Sequence, residues 1–221
     1  VNAVSSEWWV EHVPALEAAG ADAIELNISL MPYDYKDSNE QITKFYEDTV
    51  KAVRSVVTVP LAVKIGYHFS SIPSVVDRLR WAGASAVVLF NRFYQLDIDV
   101  QSESLKSASP FSTADEIALP LRWITWMYGK TDVELAASSG IHDGEGAVKA
   151  LLAGAQITQV CSALYKRGVA HVADIVTELE KWMDEHRYNR IADFRGRLSQ
   201  KFSNKPEAYE RLQYIQALVG R

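Results

Sequence analysis

Chemistry in this sequence is concentrated where runs of aliphatic residues end in a polar side chain. Lys64 follows Leu61-Ala62-Val63 and precedes Ile65-Gly66. A cation after buried aliphatics is costly unless it meets an anion or lines a wet site. A lysine whose head snorkels to solvent is the plainer alternative. Asn27 ends the run Ala23-Ile24-Glu25-Leu26 in the same way, and Asn91 ends Ala86-Val87-Val88-Leu89-Phe90. Either asparagine alone could be a turn cap. The repetition is what makes Lys64 read as a site residue.

Two later runs end in small residues, Ser138-Ser139-Gly140-Ile141 and Cys161-Ser162-Ala163. Such loops allow backbone N–H groups and a helix N-terminus to reach an anion such as phosphate. Gly144 and Gly146, one turn further on, would help that helix begin; the same residues could also be turn-formers and nothing more. Cys161, at the end of a buried strand, reads as a small packing residue rather than a nucleophile. His12, His68, His142, His171 and His186 show no metal-ligand spacing, so no metal is expected. His142, beside the small-residue loop, reads as a turn residue. The tryptophans and tyrosines fall mostly at helix positions and read as core or interface.

The elements that would position these residues repeat along the chain. Ala18-Ala19-Gly20-Ala21, Trp81-Ala82-Gly83-Ala84 and Leu152-Ala153-Gly154-Ala155 each precede a β-rich run. The glycine can close a helix in the left-handed conformation, and the run after it suits a buried parallel strand. Ile72, Val75, Val76 and Leu79 recur at helical spacing, with Pro73 in the first turn and Gly83 as the stop. Ser38 and Gln41 can form a capping box ahead of Ile42, Tyr46, Val50 and Val53. Strands are expected at 23–26, 61–64, 86–90, 133–137 and 157–160, with a stub at 1–4. Alternating strands and helices allow an open doubly wound sheet or a closed barrel, and the polar strand ends favour the barrel.

The fold expected is therefore an α/β (β/α)8 TIM barrel lacking its first two strands and part of the third. A complete barrel needs ~250 residues, so about 100 more are expected upstream. Residues 1–186 would form the partial barrel, with an inserted segment at about 92–112. In it Leu96-Asp97-Ile98-Asp99-Val100 alternates like a half-buried strand, either as a hairpin over the barrel mouth or as a surface hairpin. Residues 187–221 would form a helical tail with two apolar patterns, Ile191, Phe194 and Leu198, then Tyr209, Leu212, Ile215 and Val219. Packing on the barrel or at a dimer interface is the expected use.

Composition narrows the function classes. With 48% hydrophobic and 23% charged residues among 221, the chain can bury one substantial core. The formal net charge of -5, with Lys and Arg spread thinly, offers no basic footprint for nucleic acid. A single cysteine excludes an internal disulfide and suits a reducing compartment, here read as cytoplasmic. No apolar run approaches the ~20 residues that cross a bilayer, so no membrane association is expected.

Taken in order, Glu25-Leu26-Asn27-Ile28-Ser29, Val63-Lys64, Phe90-Asn91, Ser139-Gly140-Ile141 and Cys161-Ser162-Ala163-Leu164-Tyr165 resemble the dihydroorotate dehydrogenases, from about Ala3 to Leu198. The resemblance implies a flavin mononucleotide (FMN) cofactor across the barrel mouth. It also implies a small-molecule substrate, dihydroorotate or a related compound, oxidised at a CH–CH bond. FMN would accept a hydride at N5 from C6 while an enzyme base removes the C5 proton; with dihydroorotate this is a step of pyrimidine biosynthesis. Lys64 would sit by the flavin pyrimidine edge and stabilise negative charge, and Asn27 and Asn91 would bind the substrate ring and its neighbours. Ser139, Gly140, Cys161 and Ser162 would carry the phosphate. A homodimer is implied as well. One departure is plain: the family typically reads Asn-x-Ser-Cys-Pro-Asn, or a variant with the base serine on a nearby loop, where this chain reads Asn27-Ile28-Ser29-Leu30-Met31-Pro32. Leucine stands in the place of the catalytic base, which raises the alternative of a catalytically degenerate flavin-binding member. A phosphate-binding barrel enzyme without flavin, such as an isomerase, is a third reading.

Overall fold

Helix α2 (Asn39–Arg54) shows how local chemistry sets the elements. The Gln41 N–H donates to Ser38 Oγ at 3.2 Å and the Ser38 N–H donates to Gln41 Oε1 at 2.9 Å, the reciprocal box expected from the sequence. Ile42, Tyr46, Val50 and Val53 face inward and are buried. The Tyr46 hydroxyl donates to the Ile28 carbonyl at 2.9 Å, and burial pushes its pKa up to about 12. In α3 (Ile72–Ala82), Ser71 caps the start, Pro73 occupies the first turn and Gly83 closes the end at φ 108°.

The computed structural model describes residues 1–2 and 5–211. After α1 (Ser6–Ala18), strands β1 (Ile24–Asn27), β2 (Leu61–Ile65) and β3 (Ala86–Leu89) alternate with α2 and α3. A hairpin of β4 (Leu96–Asp99) and β5 (Ser104–Ser107) interrupts the alternation. Then follow a 3-10 turn (Ala114–Ile117), α4 (Ala118–Met127), β6 (Glu134–Ser138), α5 (Gly144–Ala153), β7 (Ile157–Gln159), α6 (Ser162–Arg167) and α7 (His171–Glu185). The main sheet is parallel, in the order β1-β2-β3-β6-β7. It is a partial (β/α)8 barrel, as the sequence implies. Asn2 forms a single parallel bridge to Asn27, where the sequence suggests a strand stub.

Register sorts the strand residues onto two faces. Leu26, Val63, Ile65, Val87, Leu89, Leu135 and Ala137 face the helices and join one core with Val50, Val53, Val76, Leu79 and Ile124. Each of the Val, Leu and Ile side chains among them contributes roughly 1.5–3 kcal/mol on burial. The opposite face lines the bore and carries Glu25, Asn27, Lys64, Ser138 and Gln159. Ile157, also on that face at the sheet edge, is 59% exposed. The helix-facing side of the sheet is thus apolar, while the bore side mixes these polar residues with Ala62, Ala86, Val88 and Ala136.

The inserted hairpin is antiparallel, pairing Ile98 with Leu105, and Leu96, Ile98 and Leu105 are exposed. Of the tail patterns, the first becomes a 3-10 turn (Ile191–Asp193) with Phe194 fully buried and Leu198 exposed, a correction to the expected helix. Tyr209 lies in α8 (Pro206–Arg211), while Leu212, Ile215 and Val219 lie outside the described residues.

The three αβ joints all place glycine in the left-handed region: Gly20 at φ 96°, Gly83 at 108° and Gly154 at 121°. Their surroundings differ. A Cβ at Gly20 would meet nothing within 4 Å, whereas one at Gly154 would lie 2.4 Å from the Tyr128 ring. Gly20→Ala should therefore cost only the backbone penalty, roughly 1–2 kcal/mol. Gly154→Ala should cost clearly more, because Tyr128 has to move. Urea unfolding of the two variants checks this, and equal losses would mean that the Tyr128 contact is unimportant.

Candidate active site

Strands β1, β2 and β7 each send a polar side chain into the bore. Lys64 Nζ donates to Gln159 Oε1 at 2.9 Å, and Gln159 Nε2 donates in turn to Glu25 Oε2. Strands β1 and β7 are the outer strands of the sheet, so this contact requires the sheet to curl until its edges face each other. Burial pushes the Lys64 pKa below the usual lysine range, and the Glu25 carboxylate opposes that shift. Beside Lys64 in the register, Asn27 Oδ1 accepts from Asn91 Nδ2 at 2.7 Å, and Asn27 Nδ2 donates to Asn2 Oδ1.

A cavity of about 250 Å³ opens at the C-terminal ends of the strands, lined by Lys64, Asn91, Ser139, Gly140, Cys161 and Ser162 among others. These are all of the residues that the sequence nominates for the cofactor. Asn27 is not in the lining and stands behind Asn91, to which it is hydrogen-bonded. Arg92 also lines the cavity, whereas no Asp or Glu does. Arg92 is paired with Glu116 at 2.8 Å, so Lys64 is the lining cation that favours an anionic occupant.

Backbone geometry at the rim supports the same chemistry. Ser139 and Gly140 both have positive φ, 79° and 76°. A Cβ at Gly140 would lie 2.1 Å from the Ile117 backbone nitrogen, so only glycine lets the 3-10 turn sit on this loop. Ser139, which has a side chain, stores roughly 1–3 kcal/mol of strain there. The start of α5 is less available to an anion than the sequence suggests. Asp143 caps that helix by accepting from the Gly146 N–H at 2.8 Å, and the Gly144 N–H donates to Glu178 at 2.6 Å. Residues 139–140 and the start of α6 remain as the small-residue backbone lining the cavity.

Cys161 needs a correction. It is exposed, not packed, because β7 ends at Gln159 and the chain has already turned toward α6. His142 lies behind the rim, sharing a 3.0 Å hydrogen bond with Ser112 Oγ; burial pushes its pKa down, with Lys166 adding to the shift. Among the described residues, no cluster of His, Cys, Asp and Glu could hold a metal.

Four contributing residues were missed. Gln159 closes β7 and obeys the strand-end rule, but drawing the strand through Val160 hid it. Arg92 directly follows Asn91; its Nε donates to Glu116 at 2.8 Å and its Nη1 to the Pro110 carbonyl at 3.3 Å. Ser112 is buried, with its N–H donating to Ser162 Oγ at 2.9 Å and its carbonyl accepting from Lys166 at 3.1 Å. Ser112 sits at the end of the insertion without a local signal, whereas Glu116 closes a capping box with Thr113, a signal for a helix start but not for a contact with Arg92. Leu30, in the loop after β1, is partly buried against the main core and offers no acid or base.

Comparison with known proteins agrees with this arrangement. The family model for dihydroorotate dehydrogenase matches residues 1–183. The chain is 28% identical over 202 residues to the catalytic subunit of dihydroorotate dehydrogenase B (NAD(+)) from Thermoplasma volcanium, covering 89% of this chain and 66% of that protein. It is 27% identical over 184 residues to dihydroorotate dehydrogenase A (fumarate) from Lactococcus lactis subsp. lactis, covering 79% and 59%. The chain thus spans just under two-thirds of the relatives' length. With the polar strand ends, the partial barrel and the matched region in agreement, the chain belongs to the dihydroorotate dehydrogenase family.

Proposed function

We propose that this chain carries the active site of an FMN-dependent oxidoreductase of the dihydroorotate dehydrogenase type, acting on dihydroorotate or a related compound. The observation that supports it is the cavity at the strand ends, which gathers Lys64, Asn91, Ser139, Gly140, Cys161 and Ser162 around a space free of lining carboxylates. That setting fits a group carrying a phosphate and a ring that becomes negative on reduction. FMN, when bound, supplies the hydride acceptor.

The residues divide the remaining work. Ser139 and Gly140, with Cys161 and Ser162 opposite, would hold the phosphate through backbone N–H groups and the Ser162 hydroxyl. Lys64 would place its ammonium where negative charge develops, a preorganised electrostatic contribution. Asn91, oriented by Asn27, would hydrogen-bond the substrate ring. We further propose that residues 1–186 form the barrel unit, with the tail from 187 packing on it or on a second copy in a homodimer, and that the protein works in the cytoplasm.

Leu30 favours a second reading, in which the flavin-binding shell is kept but proton abstraction is lost. A positioned general base is worth roughly 100- to 10,000-fold, so without one dihydroorotate should reduce the protein slowly.

Two outcomes follow. FMN should protect Cys161 from iodoacetamide, as read by the mass of its peptide; alkylation at the same rate with and without saturating FMN would remove the cavity from consideration. Leu30→Cys should speed anaerobic flavin reduction by dihydroorotate by about 100-fold or more, as followed by stopped flow. No acceleration in a variant that still binds FMN would show that the missing base is not what limits this chain.

A further inference from the structure

The side chain of Gln159 has one geometry that serves both of its neighbours. Its carbonyl oxygen accepts from Lys64 at 2.9 Å while its amide nitrogen donates to Glu25, so the amide is oriented by a cation on one side and an anion on the other. A reversed amide would set NH₂ against an ammonium and oxygen against a carboxylate. The three residues come from three different strands, and two of those strands are the outer members of the sheet. Lys64 and Gln159 are both partly buried, where an amide dipole and a carboxylate act with less screening than at the surface.

We propose that Gln159 is a positioning residue for Lys64 and that Glu25 is the counter-charge acting through it, so that the bridge across the bore holds the ammonium charged and aimed at the cavity. The bridge is a property of this chain's own side chains; its consequence for flavin rests on the function proposed above. Glu25 from β1 acts electrostatically on Lys64, while Cys161, beyond β7, and Arg92, beyond β3, share the cavity it lines. Arg92 is already paired with Glu116, which leaves Glu25 as the carboxylate in contact with the lysine's own partner.

The test follows Lys64 itself in the full chain carrying ¹³Cε-lysine, with its resonance assigned by its loss in Lys64→Met. Glu25→Gln removes the charge at constant shape, and Gln159→Met removes both hydrogen bonds at similar length. In each variant Lys64 should lose its proton at least about tenfold more readily. Unchanged titration in both variants overturns the proposal, even if their melting temperatures fall, because a merely structural glutamine would alter stability alone. With FMN bound, both variants should also shift the flavin midpoint potential to more negative values. A moved titration with an unmoved potential would leave the bridge standing and refute the placement of Lys64 beside the flavin.

Discussion

An ammonium group inside a barrel bore must be met by polar partners, and much of this structure can be understood from how Lys64 is met. The bore face of the sheet gives up aliphatic packing to provide Glu25, Asn27 and Gln159, while the opposite face supplies a continuous apolar core. Burying a charge without such partners costs several kcal/mol. The partners meet only in a curled sheet: Gln159 on one outer strand reaches Glu25 on the other only if the edges face each other. The curvature then brings the ends of β2, β3, β6 and β7 around a single cavity.

The insertion completes that cavity from outside the barrel repeat. Ser112 ties the segment to Ser162, His142 and Lys166, and Glu116 fixes Arg92. Gly140 allows the 3-10 turn to lie directly on the rim. A loop between hairpin and helix thereby forms one wall of the site. Leu30, in the loop after β1, turns instead toward the core.

Much of this was legible in the sequence because parallel strands and their helices leave periodic apolar patterns and glycine stops. The capping box at Ser38 and Gln41 and the joints at Gly20, Gly83 and Gly154 form as their residue types require. The strand-end residues were legible for the same reason, since a polar residue after an aliphatic run has few inexpensive places to go. Gln159 gives no such signal because the β-rich run continues to the apolar Val160, which masks the strand end. The same run makes Cys161 look like a buried strand end, whereas the strand stops at Gln159. Arg92, Ser112 and Glu116 depend on contacts between segments far apart in sequence, and no periodicity encodes such contacts. The second tail pattern, at Leu212, Ile215 and Val219, falls outside the described residues.

A flavin bound in the cavity at the strand ends would be visible in the absorption spectrum. The chain, purified with whatever residues precede it in the full protein and incubated with FMN, should keep paired flavin bands through gel filtration and release FMN on denaturation. A folded protein that shows no such bands after the same treatment would contradict the account.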